Sequence, residues 1–348
     1  MSLLPLEMYF KKVSQNNNSF PNRSGEYFSK YLSILSYLKS NVYPQINVGL
    51  TINSDGVDKS LYTDHSTAHF DEVVKYAGFL LGLGIDYDEE STQVVNLSPY
   101  EIFCLLVAIR IHDAGNILGR EGHSNACFLV LKDIYSRNSF DQTENRIIAK
   151  IAAAHGGVTN SGSKDTIGVL EKSKGVHAIA VREQLLAGIL RISDEICENR
   201  SRSSNYLMSY DMIPEANKLY HLYGTSITNN QYESNILMLE FSLRESWLSN
   251  KYRKEDEENF LIDYIYSRLE KMDLERIYCN RFTKEVCSID SIKVTLSFFD
   301  EDESHEIAEP LAITLEDKGY PTRESPLLKY KEDYNGEAIQ TKLRDRER

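Results

Sequence analysis

The stretch SPYEIFCLLVAIRIHDAG, residues 98–115, decides the fold of the body of this chain. It opens with a helix start signal: a serine cap, then proline, and a glutamate three positions after the serine. Apolar residues follow up to His112 and Asp113, which predicts a buried helix that ends near Gly115. Burying a histidine and an aspartate side by side is unfavourable unless something binds both. The pair is therefore a candidate for metal binding.

Similar patterns flank this helix on both sides. Helices are predicted at 27–38 (stopped by Pro44), about 65–83, 123–135, 141–155 and 181–199, with loops at 116–122 and 158–176. These helices place further histidines and acids at helix ends or opposite apolar faces. The candidate metal ligands are His69, His112, Asp113, His123, His155 and Asp194. Imidazole and carboxylate together suit Fe, Mn, Zn, Ni or Co better than calcium.

Each of these residues also has a structural alternative. A single buried histidine such as His112 is more often a hydrogen-bonded core residue than a ligand. His123 is also explained as a helix N-terminal residue, and His155 as a cation at a helix C-terminus. His65 lies on the same helix face as His69, but the sequence between them lacks the glutamate of an HExxH zinc motif.

Composition restricts the class of protein. The chain has 348 residues and a net charge of −13, which argues against a general duplex DNA-binding surface. It shows no apolar run long enough for a membrane span and no signal peptide. Five cysteines without a CxxC pair favour a reducing, cytoplasmic setting. Three of them, Cys104, Cys127 and Cys197, fall within helical patterns and are expected to be small core residues.

The pattern changes after about residue 215. Strands are predicted at 237–243 and 292–298, a helix at 258–281, and weaker strands at 220–227 and 313–315. We therefore predict a mainly α protein with a smaller α+β extension. The predicted parts are an N-terminal segment at 1–24 that ends in a loop, a helical domain at 25–212, the extension at 213–320 and a polar, frayed tail at 321–348.

The ordered set H…HD…H…H…D resembles the HD superfamily of metal-dependent phosphohydrolases over roughly residues 60–205. The stretches YTDHSTAH (62–69) and LRISDE (190–195) resemble the branch in which the HD helical bundle carries a C-terminal extension, HD-CE. The resemblance implies that His69, His112, Asp113 and Asp194 bind one divalent ion. Asp113 would bridge to a second ion that His123 and His155 also hold, the metal being Mn, Fe, Co, Ni, Zn or Mg.

The resemblance further implies hydrolysis of a phosphoester or phosphoanhydride bond of a nucleotide or short oligonucleotide, by water that the metals activate. Asp113 is the central catalytic residue in this interpretation, and His65 or Asp64 would move the proton. Nearby cations would contact the substrate phosphate: Arg120, Lys164 and Arg200, with Arg202 a weaker candidate.

The substrate is left open by the sequence. The HDIGHPPFGH loop of dNTP triphosphohydrolases and the GYP triplet of cyclic-di-GMP phosphodiesterases are both absent. A metal-dependent single-strand nuclease is one alternative, and a nucleotide-sensing or scaffold module with little turnover is another. The extension is expected to bind a partner protein or a second copy of the chain.

Overall fold

The computed structural model describes residues 2–23, 25–46, 67–88, 90–119, 122–138, 140–254, 257–317, 319, 325 and 327–346. The chain forms two compact units. The helical unit contains the described residues of 2–46, 67–197 and 279–288, and the α+β unit contains those of 198–278 and 289–346. The protein is mainly α with a small β part, as predicted.

The helical unit is built from helices that agree with most of the sequence-based expectations. Its helices are α1 (Pro5–Val13), α2 (Tyr27–Tyr37), α3 (Thr67–Leu80), α4 (Pro99–Ile111), α5 (His123–Arg137), α6 (Gln142–Ala153) and α7 (Glu183–Ile196). A 3-10 turn, Ala114–Leu118, occupies part of the predicted loop after α4, and a short hairpin, β1 (Lys174–Val176) and β2 (Ile179–Val181), precedes α7.

Helix α4 is the central helix of this unit. Its predicted capping box is confirmed: Ser98 Oγ accepts from the Glu101 backbone N–H at 3.2 Å, and Glu101 Oε2 accepts from Ser98 N–H at 2.9 Å. Every residue from Tyr100 to Ile111 is buried, so other elements surround the helix on all sides. The end of α4 therefore lies in the interior of the unit, and His112 and Asp113 follow directly.

The N-terminal residues differ from the prediction. The sequence predicted a loop at the end of residues 1–24 but no helix before it, whereas the structure has α1, which buries Leu6, Tyr9 and Phe10 on one face. The prediction that Pro44 stops the next helix was also wrong. A π-helical turn, Leu38–Val42, follows α2, and the chain stays helical to residue 46. Pro44 lies two residues after this π-helical turn, where the regular hydrogen-bond pattern of the α-helix is already interrupted, so a missing backbone N–H is tolerated.

A buried ionic network ties α1 and α2 to α4. The Arg110 guanidinium, 1 % exposed, donates to Glu7 Oε1 at 2.7 Å and to the Tyr31 hydroxyl at 3.1 Å. It also pairs with Asp71 of α3. Tyr43 completes the network by donating its hydroxyl hydrogen to the Arg110 carbonyl at 2.7 Å. Burial is thus compensated by partners from three other elements.

A second network surrounds Glu144 near the start of α6. Its carboxylate accepts from the hydroxyls of Tyr27, Tyr100 and Tyr135 at 2.9, 3.0 and 2.7 Å. Lys30 of α2 forms an ion pair with the same carboxylate. The N-terminal helices therefore supply charged and polar partners to both α4 and α6.

The α+β unit contains a four-stranded sheet and several helices. Its helices are α8 (Asn205–Ser209), α9 (Glu215–Ser226), α10 (Glu245–Ser249), α11 (Leu261–Thr283), α12 (Leu328–Lys331) and α13 (Gly336–Arg346), the last residues of α11 belonging to the helical unit. The sheet has the order β3 (Ile227–Glu233), β4 (Ile236–Arg244), β7 (Ser291–Phe299) and β8 (Glu306–Glu316), and β5 (Lys251–Lys254) pairs with β6 (Glu257–Phe260). Strands β4 and β7 are parallel, and the other neighbours are antiparallel.

Strands predicted at 237–243, 292–298 and 313–315 are confirmed in β4, β7 and β8, and the helix predicted at 258–281 corresponds to α11. The weaker strand prediction at 220–227 was wrong, because that segment is mostly helix α9. Leu219, Leu222 and Tyr223 are spaced for one buried helix face, and a short window made that spacing resemble alternation. The predicted frayed tail contains α13, which buries Ile339 and Leu343.

In the described part of the chain, no single helix combines the length and apolar character that crossing a bilayer needs. The pair Pro99–Leu118 and His123–Arg137, bent by 107°, meets the criterion only when its two arms are counted together.

Candidate metal centre

Six predicted site residues meet inside the helical unit. His69 lies in the first turn of α3, His112 and Asp113 follow α4, and His123 begins α5. His155 comes two residues after the end of α6, and Asp194 lies in the last turn of α7. The C-terminal ends of three helices and the N-terminal ends of two thus bring their polar residues to one place. All six side chains point into this cluster, as the distances between them show.

Asp113 lies at the middle of the cluster. Its Oδ1 is 3.1 Å from His123 Nε2 and 3.4 Å from His155 Nε2. Its Oδ2 is 3.8 Å from His69 Nε2 and 3.9 Å from His112 Nε2. The two oxygens of one carboxylate therefore face two different pairs of histidines.

Asp194 makes its shortest contacts with the pair His69 and His112, and it also forms a group with His112 and His155 whose ligand atoms lie within 4.8 Å of one another. Its Oδ1 is 3.3 Å from His69 Nε2 and 3.6 Å from His112 Nε2. The side chain of Asp194 is 26 % exposed and that of His123 is 16 % exposed, whereas the other four are at most 7 % exposed. The cluster is consequently open to solvent on the side of Asp194 and His123.

The tautomers of two histidines follow from their backbone contacts. Nδ1 of His112 lies 2.7 Å from the Ile109 carbonyl, and Nδ1 of His155 lies 2.6 Å from the Ala152 carbonyl. Because a carbonyl oxygen only accepts, both Nδ1 atoms donate. In the neutral imidazole the lone pair is then on Nε2, which is the atom that faces the carboxylates.

The residues fit a divalent cation. Among the described residues, nothing hydrogen-bonds the fully buried Nε2 of His112. Ligand atoms of His69, His112 and Asp113 lie within 4.8 Å of one another, and so do those of Asp113, His123 and His155. Imidazole nitrogen with carboxylate oxygen is the donor set of many transition-metal sites. The cluster can therefore hold metal ions.

Charge within the cluster shifts its protonation. Burial alone would lower the pKa of His112, but the carboxylates of Asp113 and Asp194 outweigh it and raise that pKa to about 9. Burial opposes the ionised form of Asp194, yet the imidazoles of His112 and His69 hold its pKa well below the usual range. Without a metal, the site therefore retains protons that an incoming cation must displace.

Of the remaining predicted site residues, the structure describes Lys164, Arg200 and Arg202. His65, Asp64 and Arg120 lie outside the described residues. Lys164 is exposed in the loop after α6, while Arg200 and Arg202 lie in a 3-10 turn of the α+β unit. Their proposed roles are thus not tested by these positions.

Two residues near the cluster were not predicted from the sequence to belong to the site. Arg191 of α7 is buried and donates from Nη1 to Thr166 Oγ1 at 2.8 Å, and Thr166 donates to the Ala154 carbonyl at 2.7 Å, beside His155. Cys197 was assigned to the core, although its spacing of three residues from Asp194 places both on one side of the helix. That spacing was the available signal.

Gly115 is required by the close approach of α5. A Cβ at this position would lie 2.0 Å from the His123 carbonyl oxygen and 2.8 Å from the Cys127 nitrogen, both backbone atoms. We expect Gly115→Ala to displace the start of α5, to lower stability by about 1–3 kcal/mol and to reduce the metal content. Chemical unfolding and elemental analysis test this expectation. Gly156→Ala is the control, because a Cβ at that position meets nothing within 4 Å. Equal stability and equal metal content in the two variants would contradict the expectation for Gly115.

The cluster is a histidine–aspartate group inside the helical unit with a geometry that can hold metal ions. A scan of family models matches HD-CE over residues 60–271, well over half of the chain. The chain therefore belongs to the HD-CE family, in agreement with the resemblance found in the sequence. No curated protein and no solved structure gives a significant match.

Proposed function

We propose that this protein is a metal-dependent phosphohydrolase that cleaves a phosphoester or phosphoanhydride bond of a nucleotide or short oligonucleotide. The observation that carries the proposal is the position of Asp113, whose two oxygens face separate histidine pairs. A carboxylate shared in this way would serve as a ligand on both sides, as two-metal phosphatases and nucleases require.

In this proposal, each half of the cluster holds one ion. His69, His112 and Asp194 serve one half, His123 and His155 serve the other, and Asp113 serves both. When bound, the divalent ions activate water and neutralise phosphate oxygens. The side chains of the cluster fix the separation of the two positions, and their burial limits the access of other water. Substrate would approach on the open side, beside Asp194 and His123.

Further residues complete the proposal. His65 or Asp64 would move the proton, and Arg120 and Lys164 would contact the phosphate. Of these, Lys164 has a supporting observation. Its carbonyl accepts from the buried Arg191 at 3.3 Å, so the loop that carries it is tied to the helix of Asp194. We therefore expect that replacing one of these phosphate-contacting cations raises KM and has little effect on the metal content.

The proposal is tested by turnover. The purified chain, loaded in turn with Mn, Fe, Co, Ni, Zn or Mg, is incubated with a panel of nucleotides and with labelled single-stranded oligonucleotides. Release of phosphate or nucleoside that stops when the metal is chelated supports the proposal, and cleavage of oligonucleotides alone would favour a nuclease. Nucleotide binding without product at full metal loading would overturn it in favour of a sensing module.

The two halves of the cluster predict different metal counts. His123→Ala and His155→Ala are each expected to leave about one ion per chain, because the other half keeps His69, His112, Asp113 and Asp194. Turnover should fall about 100-fold or more, the effect of losing a charge-stabilising group. Elemental analysis of the purified variants measures the count. If both variants keep the wild-type metal content, the site is mononuclear, and these histidines contact substrate instead.

A further inference from the structure

Cys197 lies against the metal cluster, where its sulfur and ligand atoms of His69 and Asp194 are within 4.8 Å of one another. The residue follows the last turn of α7 and is fully buried. Its Sγ is 3.1 Å from the Asp194 carbonyl oxygen and 3.8 Å from Nδ1 of His69. It thus contacts the backbone of one predicted ligand and the imidazole of another.

The single thiol hydrogen decides what these two contacts are. A carbonyl oxygen only accepts, so the closer contact is a hydrogen bond that the thiol donates to Asp194. The sulfur then has only its lone pairs to offer to His69. For the second contact to be attractive, Nδ1 of His69 must carry a hydrogen and donate it to Sγ.

His69 is thereby oriented like the two histidines described above. Nδ1 of His112 and of His155 donates to a backbone carbonyl, which leaves Nε2 directed at the carboxylates. At His69 the acceptor is a sulfur atom, while Nε2 lies 3.3 Å from Asp194 Oδ1. The same tautomer is selected at three ligands by two kinds of acceptor.

We propose that Cys197 is a positioning residue that holds His69 with Nδ1 protonated and Nε2 directed at the metal. The inference rests on the proposed metal site and extends it, since it assigns a role in metal affinity to a thiol that does not bind the metal. Groups that orient a ligating histidine typically change metal affinity by about 10- to 100-fold when they are lost.

The test uses the full chain, stripped of metal and titrated with Co²⁺ against a chromogenic chelator. Cys197→Ala is expected to weaken Co²⁺ binding by about 10- to 100-fold. Cys197→Ser is expected to restore most of the affinity, because a hydroxyl also donates to one group and accepts from another. Cys104→Ala is the control, since it removes another buried thiol of the helical unit, from α4, and should leave Co²⁺ affinity unchanged.

The outcomes separate this inference from the proposed function. Wild-type Co²⁺ affinity in Cys197→Ala, measured without substrate, would overturn the inference alone. A sulfur-to-cobalt charge-transfer band in the wild-type protein, lost in Cys197→Ala, would also overturn it, because the thiol would then be a direct ligand. If the wild-type chain binds no Co²⁺, both proposals fail. An equal loss of affinity in Cys104→Ala would show a general packing effect and would contradict the assigned role.

Discussion

Replacing Asp113 by alanine is expected to remove both metal ions and all hydrolytic turnover. The reason is geometric, because Oδ1 faces His123 and His155 at 3.1 and 3.4 Å while Oδ2 faces His69 and His112 at 3.8 and 3.9 Å. Loss of this carboxylate leaves four imidazoles close together with one acidic partner, Asp194. Elemental analysis and a phosphate-release assay on the purified variant measure the two effects.

Asp133→Ala is the matched control for this prediction. Asp133 lies in α5 of the same unit, but its side chain is 46 % exposed and pairs with Arg137. Its removal should change neither metal content nor turnover. A circular dichroism spectrum like that of the wild type would show that Asp113→Ala is folded. If the folded variant retained two ions, Asp113 could not be the bridge between them.

Replacing Arg110 by leucine is expected to lower the free energy of unfolding by about 3–5 kcal/mol, the loss found when one partner of a buried ion pair is removed. The buried carboxylate of Glu7 would be left without its cation, and Asp71 would lose its pair. Unfolding in guanidinium chloride measures the change. Arg137→Leu removes an exposed partner, 63 % accessible, and should cost no more than about 1 kcal/mol.

The pH dependence of this variant has a definite sign. Burial would raise the pKa of Glu7, but Arg110 and neighbouring donors lower it in the native protein. A lowered carboxyl pKa stabilises the fold above the unfolded value and loses that effect as the pH falls. The part of the stability difference between wild type and Arg110→Leu that comes from Glu7 should therefore be present above the unfolded pKa of about 4.3 and narrow as the pH falls below that value. A gap that does not depend on pH would exclude Glu7 as the main cause.

Local signals explain which parts of the fold were predictable. The cap of α4, its apolar run and the following His112 and Asp113 are all contained in one stretch of sequence, so the central helix and its ligands could be predicted. The partners of Arg110 could not be predicted, because Glu7 is 103 positions away in the sequence and no periodicity marks the pair. Segment 220–227 failed for a different reason: a few apolar residues fit both a strand and the end of a helix.

The site shows the same division. The types and the order of the six residues predicted a metal cluster. The sharing of the Asp113 oxygens between two histidine pairs could not be predicted, because it depends on side-chain orientation. Cys197 looked like an ordinary core thiol, since buried cysteines usually are. Its contact with His69 depends on how α3 and α7 approach each other, and sequence spacing within one helix carries no such information.

The helical unit is not continuous in the chain, and this has a consequence for how the protein is made. Residues 279–288 complete it from far downstream: the Asn96 amide donates to the Glu285 carbonyl at 3.5 Å, and Gly188 of α7 leaves space only for the Thr283 methyl group. A nascent chain that has reached Asp194 already contains the six described cluster residues, but it still lacks part of the packing around α7. During translation, more than 80 residues must therefore be added after Asp194 before the packing around α7 is complete.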